Sequence, residues 1–133
     1  KLDNNFVNKI LNKLNNKKEI FVVDEEIGSP TNAIDLAETI MEIIIRLKNS
    51  KTEIYHFSNL GFCSRLQFAD KINELIKGNC VVKPSKQNFI KIKRPKFSAL
   101  DSAKIINDFQ IRIEAWEISL KTHLIKNNII YND

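Results

Sequence analysis

The apolar residues of this chain alternate between two spacings, and this alternation most limits the folds available to it. Stretches in which apolar residues recur every three or four positions predict helices, and short β-branched or aromatic runs between them predict buried strands. The predicted helices cover residues 5–15, 32–48, 65–76, 102–107 and 113–125. The predicted strands cover residues 20–23, 54–57 and 81–82. Because helices and strands alternate, the pattern predicts an α/β fold, with residues 1–133 forming one unit.

Residues at the ends of these elements predict where the helices begin and end. Thr31 is placed to cap the second helix, and Ser64 with Gln67 forms the sequence of a capping box before the third. Gly78 is expected to end the third helix, because glycine enters the left-handed conformation without a steric cost. The second helix has a long apolar stripe: Ile34, Ala37, Ile40, Met41, Ile44 and Leu47.

The glycines and tyrosines exclude one kind of chemistry. A unit that binds a nicotinamide dinucleotide needs a glycine-rich turn, but Gly28, Gly61 and Gly78 are each isolated. A short-chain reductase also needs a tyrosine with a lysine four residues later, and Tyr55 is followed at that distance by Asn59. We therefore expect the chain alone to have no catalytic residues for reduction, no bound NADPH or NADH and no reductase activity.

Positive charge is concentrated in one window of a chain whose net charge is +5. Three interpretations stay open, namely a solvated face, a pocket for a phosphorylated ligand, and a nucleic-acid surface in which Phe89 and Phe97 stack on bases. Since no recognisable nucleic-acid-binding module surrounds them, we expect no nucleic-acid partner. The cations of the window are Lys83, Lys86, Lys91, Lys93, Arg94 and Lys96.

Two further classes of protein are disfavoured by composition. The longest apolar stretch, residues 40–47, is far shorter than the roughly 20 residues of a membrane helix, so we expect no membrane partner. Cys63 and Cys80 fit no zinc-binding spacing, so we expect no metal site. Two unpatterned cysteines and no visible signal peptide predict a cytoplasmic protein.

Four segments, taken in order, match the motifs of a known family, and so does a tryptophan on the last predicted helix. The matching residues are Asn5-Phe6, then Val22–Thr31 with Asp35-Leu36-Ala37, then Tyr55–Ser64 with Phe68-Ala69, then Arg94–Asp101, and finally Trp116 with Leu120. In this order and spacing they resemble the C-terminal half of the dTDP-4-dehydrorhamnose reductases, which are extended short-chain dehydrogenase/reductases.

The resemblance implies that the chain is the substrate-binding portion of such an enzyme, without its N-terminal Rossmann cofactor domain. The whole enzyme would reduce the 4-keto group of dTDP-6-deoxy-L-lyxo-4-hexulose with NADPH or NADH, giving dTDP-L-rhamnose. Its partners would be the dTDP-sugar and the missing N-terminal domain, and a start at Lys1 is expected of a chain cut from a longer one. The alternative is a non-catalytic nucleotide-sugar-binding or regulatory protein on the same fold.

Three residues are candidates for binding the substrate. Arg94 is expected to hold the diphosphate, because a guanidinium binds phosphate oxygens at two points; its alternative is a surface arginine stiffened by Pro95. Asn5 is expected to make a second polar contact, with a plain helix cap as its alternative. Thr31 is expected mainly to cap its helix and also to touch the substrate. Trp116 is expected to pack in the core.

Two residues depart from the family's pattern. Glu26 stands where the family has Gln, and Arg65 stands where it has Trp. An acid that faced a diphosphate would repel it, so these changes leave the identity of the sugar nucleotide open. Because several helices would pack on the missing Rossmann sheet, we also expect exposed apolar surface and self-association, or a rearranged fold, in the isolated chain.

Overall fold

The computed structural model describes residues 5–48, 51–85 and 94–131, and these ranges contain five helices and four short strands. The helices are α1 (Phe6–Asn16), α2 (Ala33–Arg46), α3 (Arg65–Leu75), α4 (Ala103–Phe109) and α5 (Trp116–Lys126). The strands are β1 (Glu19–Val23), β2 (Ile27–Gly28), β3 (Cys63–Ser64) and β4 (Val81–Ser85). Helices and strands alternate along most of the chain, which confirms the predicted α/β fold.

The strands form two small sheets. β1 and β4 are parallel, with Glu19 opposite Val81 and Val23 opposite Ser85. Parallel neighbours need a long crossover connection, and here it includes α2 and α3. β2 and β3 pair antiparallel. The second sheet was not predicted, because two-residue strands are too short to leave a periodic pattern in the sequence.

The main core lies around α3, which contacts α1, α5 and β1. Ile72 of α3 and Leu124 of α5 are completely buried, and a buried side chain of this kind contributes about 1.5–3 kcal/mol. A second cluster forms around Ile105, Ile111 and Ile113. Contrary to the prediction, Ile113 is not in the last helix: α5 begins only at Trp116, after Ala115 in an extended conformation, and Ile113 packs in this second cluster.

The predicted helix caps were right at α3 and wrong at α2. Ser64 Oγ accepts from the Gln67 N–H at 3.1 Å and Gln67 Oε1 accepts from the Ser64 N–H at 2.8 Å, which confirms the capping box. Thr31 does not cap α2. Asn32 does, since its side chain accepts from the Ile34 N–H at 3.0 Å. Asparagine is the stronger capping residue of the two neighbours.

The prediction for Gly78 was also wrong. The residue in the left-handed conformation is Lys77, with φ of 53°. The Lys77 N–H donates to the Glu74 carbonyl at 3.0 Å and the Gly78 N–H to the Asn73 carbonyl at 2.8 Å, which closes the last turn of α3. A Cβ atom on Gly78 would lie 2.3 Å from Asn73 Oδ1. A side chain at position 78 would have to displace Asn73, whose Nδ2 donates to the Cys80 carbonyl at 2.8 Å, so close approach favours glycine here.

Residues 54–57 form no strand, contrary to the prediction, and no other described segment pairs with them. Ile54 is 76% exposed, whereas the Tyr55 ring packs at 5.1 Å from Phe109. A β-branched and aromatic run forms a strand only where a neighbouring strand is present to pair with it. The described part of the chain supplies none.

The apolar stripe of α2 faces solvent. Its members Met41 and Ile44 are 58% and 60% exposed, and the neighbouring Ile45 is 80% exposed. Thr39 is the buried residue of this helix, and Ile43 packs partly against the second cluster. This confirms that apolar surface is left uncovered. No helix in the described ranges is long and apolar enough to cross a membrane.

Candidate functional site

A cleft of about 1100 Å³ opens where the starts of α1, α2 and α3 meet one face of α5. Residues 94–100 close its side, because the Ile27 N–H donates to the Lys96 carbonyl and the Ser98 N–H to the Ile27 carbonyl, both at 2.9 Å. These two bonds fix the segment against β2. Clefts that bind small molecules typically have volumes of about 300–1,000 Å³, so this one is large enough for a small-molecule ligand.

All three predicted binding residues, Asn5, Thr31 and Arg94, line this cleft. They come from positions far apart in the sequence. Asn5 caps α1, since its Oδ1 accepts from the Asn8 N–H at 2.8 Å. Thr31 is exposed, and its hydroxyl donates to the Ser29 carbonyl at 3.4 Å. The side chain of Arg94 is 47% exposed.

The far wall of the cleft is aromatic. The Phe68 ring lies 5.8 Å from Phe6 and 5.4 Å from Trp116. Trp116 is 7% exposed and belongs to the main core, so its packing role is observed, although its edge also lines the cleft. Gly61, with φ of 88°, lets the chain pass Trp116, because a Cβ there would lie 3.1 Å from the indole Cδ1.

A buried polar network fixes the floor of the cleft. Asn59 is 2% exposed, and its side chain accepts from the Asn32 N–H at 2.8 Å and donates to Asp35 Oδ2 at 2.6 Å. Asp35 Oδ2 also accepts from Ser119 Oγ at 2.5 Å. No local pattern in the sequence indicates this network, because its members lie on three separate segments of the chain.

Comparison with known proteins shows which family has this domain. The profile of the family described as "RmlD substrate binding domain" matches residues 1–129 of the chain. The chain belongs to this family. The resemblance found in the sequence motifs is thereby confirmed.

Individual members of the family agree in sequence and in structure. The spore coat polysaccharide biosynthesis protein SpsK of Bacillus subtilis is 35% identical over 90% of the chain. The dTDP-4-dehydrorhamnose reductase of Aggregatibacter actinomycetemcomitans is 33% identical over 89% of it. The crystal structure of the Bacillus anthracis dTDP-4-dehydrorhamnose reductase in complex with NADP superposes with a TM-score of 0.82, at 32% identity over 92% of the chain.

The chain is much shorter than these relatives. It spans 41% of SpsK, 44% of the Aggregatibacter reductase and 43% of the Bacillus anthracis chain. The family model that matches residues 1–129 describes a substrate-binding domain. This agrees with the prediction that the chain is a substrate-binding portion.

Within the RmlD-type domain, the two departures from the expected motifs lie together. Glu26 Oε2 is 3.2 Å from Arg65 Nη2 and 3.8 Å from Arg94 Nη1. The Glu26 side chain is only 12% exposed, whereas those of Arg65 and Arg94 are 40% and 47% exposed. The sequence showed Glu26 and Arg65 as two unrelated changes, and their proximity became visible only in three dimensions.

Most of the remaining candidates from the sequence lie away from the cleft or outside the described residues. Lys86, Lys91 and Lys93 of the basic window lie outside the described residues, and Lys83 pairs with Glu19 at 2.6 Å, away from the cleft. Among the described residues no group of His, Cys, Asp or Glu is arranged to hold a metal. Cys63, which lines the cleft, is a buried free thiol; burial first and Glu117 second raise its pKa to about 12, which disfavours the thiolate.

Proposed function

We propose that this chain is the substrate-binding portion of an enzyme that reduces the 4-keto group of dTDP-6-deoxy-L-lyxo-4-hexulose with NADPH or NADH, giving dTDP-L-rhamnose. One observation carries the proposal. In a domain that matches the RmlD substrate-binding family over residues 1–129, one cleft brings together Asn5, Thr31 and Arg94. The chain would bind the dTDP-sugar, and the reduction itself would need a cofactor-binding domain.

The polar groups of the cleft suit a nucleotide sugar. Arg94 would bind the diphosphate, because its planar guanidinium matches phosphate oxygens in two-point geometry. Asn5 uses its carbonyl oxygen to cap α1, which leaves its amide NH₂ group to donate to the ligand. Thr31 would contact the sugar through its exposed hydroxyl. The aromatic wall around Phe68 and Trp116 would cover the apolar faces of the base or the sugar.

The exposed face of α2 is where the rest of the enzyme would pack. The relatives are more than twice as long as this chain, and the Bacillus anthracis reductase contains NADP. An N-terminal cofactor domain resting on Met41, Ile44 and Ile45 would cover apolar side chains that are now at least 58% exposed. Without it the chain would self-associate through this face. We propose a cytoplasmic location, as for an enzyme that acts on soluble nucleotide sugars.

Calorimetric titration of the chain with dTDP and, separately, with NADPH tests the proposal. We expect dTDP to bind and NADPH to give no binding heat. Arg94→Ala should weaken dTDP binding roughly tenfold or more, since a hydrogen-bonded charge pair contributes about 1.5–3 kcal/mol. Arg112→Ala is the matched control, because Arg112 is 88% exposed and does not line the cleft.

Two outcomes would contradict this function. If wild-type chain does not bind dTDP, the cleft is not a nucleotide-sugar site. If dTDP and NADPH both bind and Arg94→Ala leaves both affinities unchanged, the ligand lies elsewhere. A non-catalytic nucleotide-sugar-binding protein on this fold would instead bind dTDP as expected. Its full-length polypeptide would then show no reductase activity.

A further inference from the structure

The charged groups of the cleft are few. Among the described residues that line it, three are formally charged at pH 7: Glu26, Arg65 and Arg94. Glu26 is the inner member, because its side chain is 12% exposed while both arginine side chains are at least 40% exposed. Both guanidinium groups therefore lie near one oxygen of a partly buried carboxylate, Glu26 Oε2, and both are more exposed than it is.

Arg94 alone is poorly suited to attract a diphosphate in this setting. Its charge is offset by Glu26, whose Oε2 lies 3.8 Å from Arg94 Nη1, so the two together contribute no net charge. A diphosphate with about two negative charges would meet a neutral pair. With Arg65 included, the three groups carry one net positive charge, which favours a negatively charged ligand.

Arg65 is held in a defined position. It is the first residue of α3, directly after the Ser64 cap. Its Nη2 pairs with Glu26 at 3.2 Å, and its Cζ lies 6.0 Å from the centre of the Phe6 ring, within the range of a cation–π contact. A guanidinium has five N–H donors in a planar fork, and one carboxylate oxygen occupies only part of this set. The remaining donors are available to a ligand in the cleft.

We propose that Arg65 is a second phosphate-binding residue, which together with Arg94 spans both phosphates of a nucleoside diphosphate. The proposal rests on the proposed function, since it assumes that this cleft binds a dTDP-sugar. It adds a specificity determinant at a position where the family's motif has Trp. Two guanidinium groups beside Glu26 select for a ligand with two phosphates over a ligand with one.

Titrations with dTDP and with dTMP, which differ by one phosphate, test this role. We expect wild-type chain to bind dTDP more tightly than dTMP. Arg65→Ala should weaken dTDP binding about tenfold and dTMP binding less than about threefold, so that the selectivity falls. Arg65→Lys, which keeps the charge without the fork, should give an intermediate selectivity. A change in packing alone would weaken both ligands equally. Arg112→Ala serves again as the control.

The outcomes separate this proposal from the function on which it rests. If wild-type chain binds no dTDP, the proposed function fails, and the role of Arg65 fails with it. If Arg94→Ala weakens dTDP binding and Arg65→Ala leaves the ratio of dTDP to dTMP affinity unchanged, only the role of Arg65 is overturned. A lowered ratio in Arg65→Ala, with near-native circular dichroism, supports it.

Discussion

Two helices of this chain resemble each other in sequence and differ in what covers them. α2 and α3 both have apolar residues at helical spacing, and the apolar stripe of α2 is the longer one. In α3 the stripe is buried, with Ala69 and Ile72 both at 0% exposure. In α2 it is open to solvent, with Ile44 60% exposed.

This difference shows what hydrophobic periodicity predicts. The spacing indicates which face of a helix is to be covered, but it does not say by what. For α3 the cover lies within the chain, in α1, β1 and α5. For α2 and residues 54–57, the described residues supply little of the surface that would cover them. The same explanation accounts for the missing strand and for the exposed stripe.

The largest expected difference between the two regions is in stability. Ile72→Ala should lower the free energy of unfolding by about 2–5 kcal/mol, because it leaves a cavity in the main core. Ile45→Ala, the same substitution at a side chain that is 80% exposed, should change it by less than about 0.5 kcal/mol. Urea unfolding followed by circular dichroism measures both. Equal losses would mean that α2 is covered by this chain after all.

The polar network of the cleft should have a smaller effect. Asn59→Ala removes partners from the Asn32 N–H and from Asp35, and it should cost about 1–3 kcal/mol of unfolding free energy. Asn79→Ala, at an exposed asparagine, should stay within about 0.5 kcal/mol of wild type in the same urea experiment. If the two variants were equally stable, the network would not be what holds α2 against α5.

A substitution in the exposed apolar face of α2 should affect self-association of the chain more than its stability. Ile45→Glu places a charge in the exposed apolar face and should shift the chain toward monomer in sedimentation velocity runs at high concentration. Ile118→Glu, at a side chain of α5 that is 54% exposed, is the control and should leave the association unchanged. A wild-type chain that stays monomeric at the same concentration would contradict self-association through α2.

Local signals predicted most of the helices and part of the site. The Ser64 capping box was correct because both of its bonds lie within four residues. The motifs also placed Asn5, Thr31 and Arg94 among the candidates, and the fold brings them to one cleft.

Contacts between distant segments could not be predicted in the same way. Asn59 gave no signal, because its partners on α2 and before α5 are 24 to 55 residues away. The Glu26–Arg65 pair was invisible for the same reason. The left-handed position after α3 is likewise taken by Lys77 and not by Gly78.

Mapping dTDP onto the ¹⁵N-labelled chain by NMR tests the central claim most directly, since the cleft and the α2 face are then compared in one experiment. We predict saturable shifts for the amides of Gly28 and Ser98 and for the indole of Trp116, which all border the cleft or its closing segment. Residues 40–46 of α2 should not respond. If the largest shifts lie along α2, or if the residues of the cleft do not respond to dTDP, this cleft is not where the nucleotide binds.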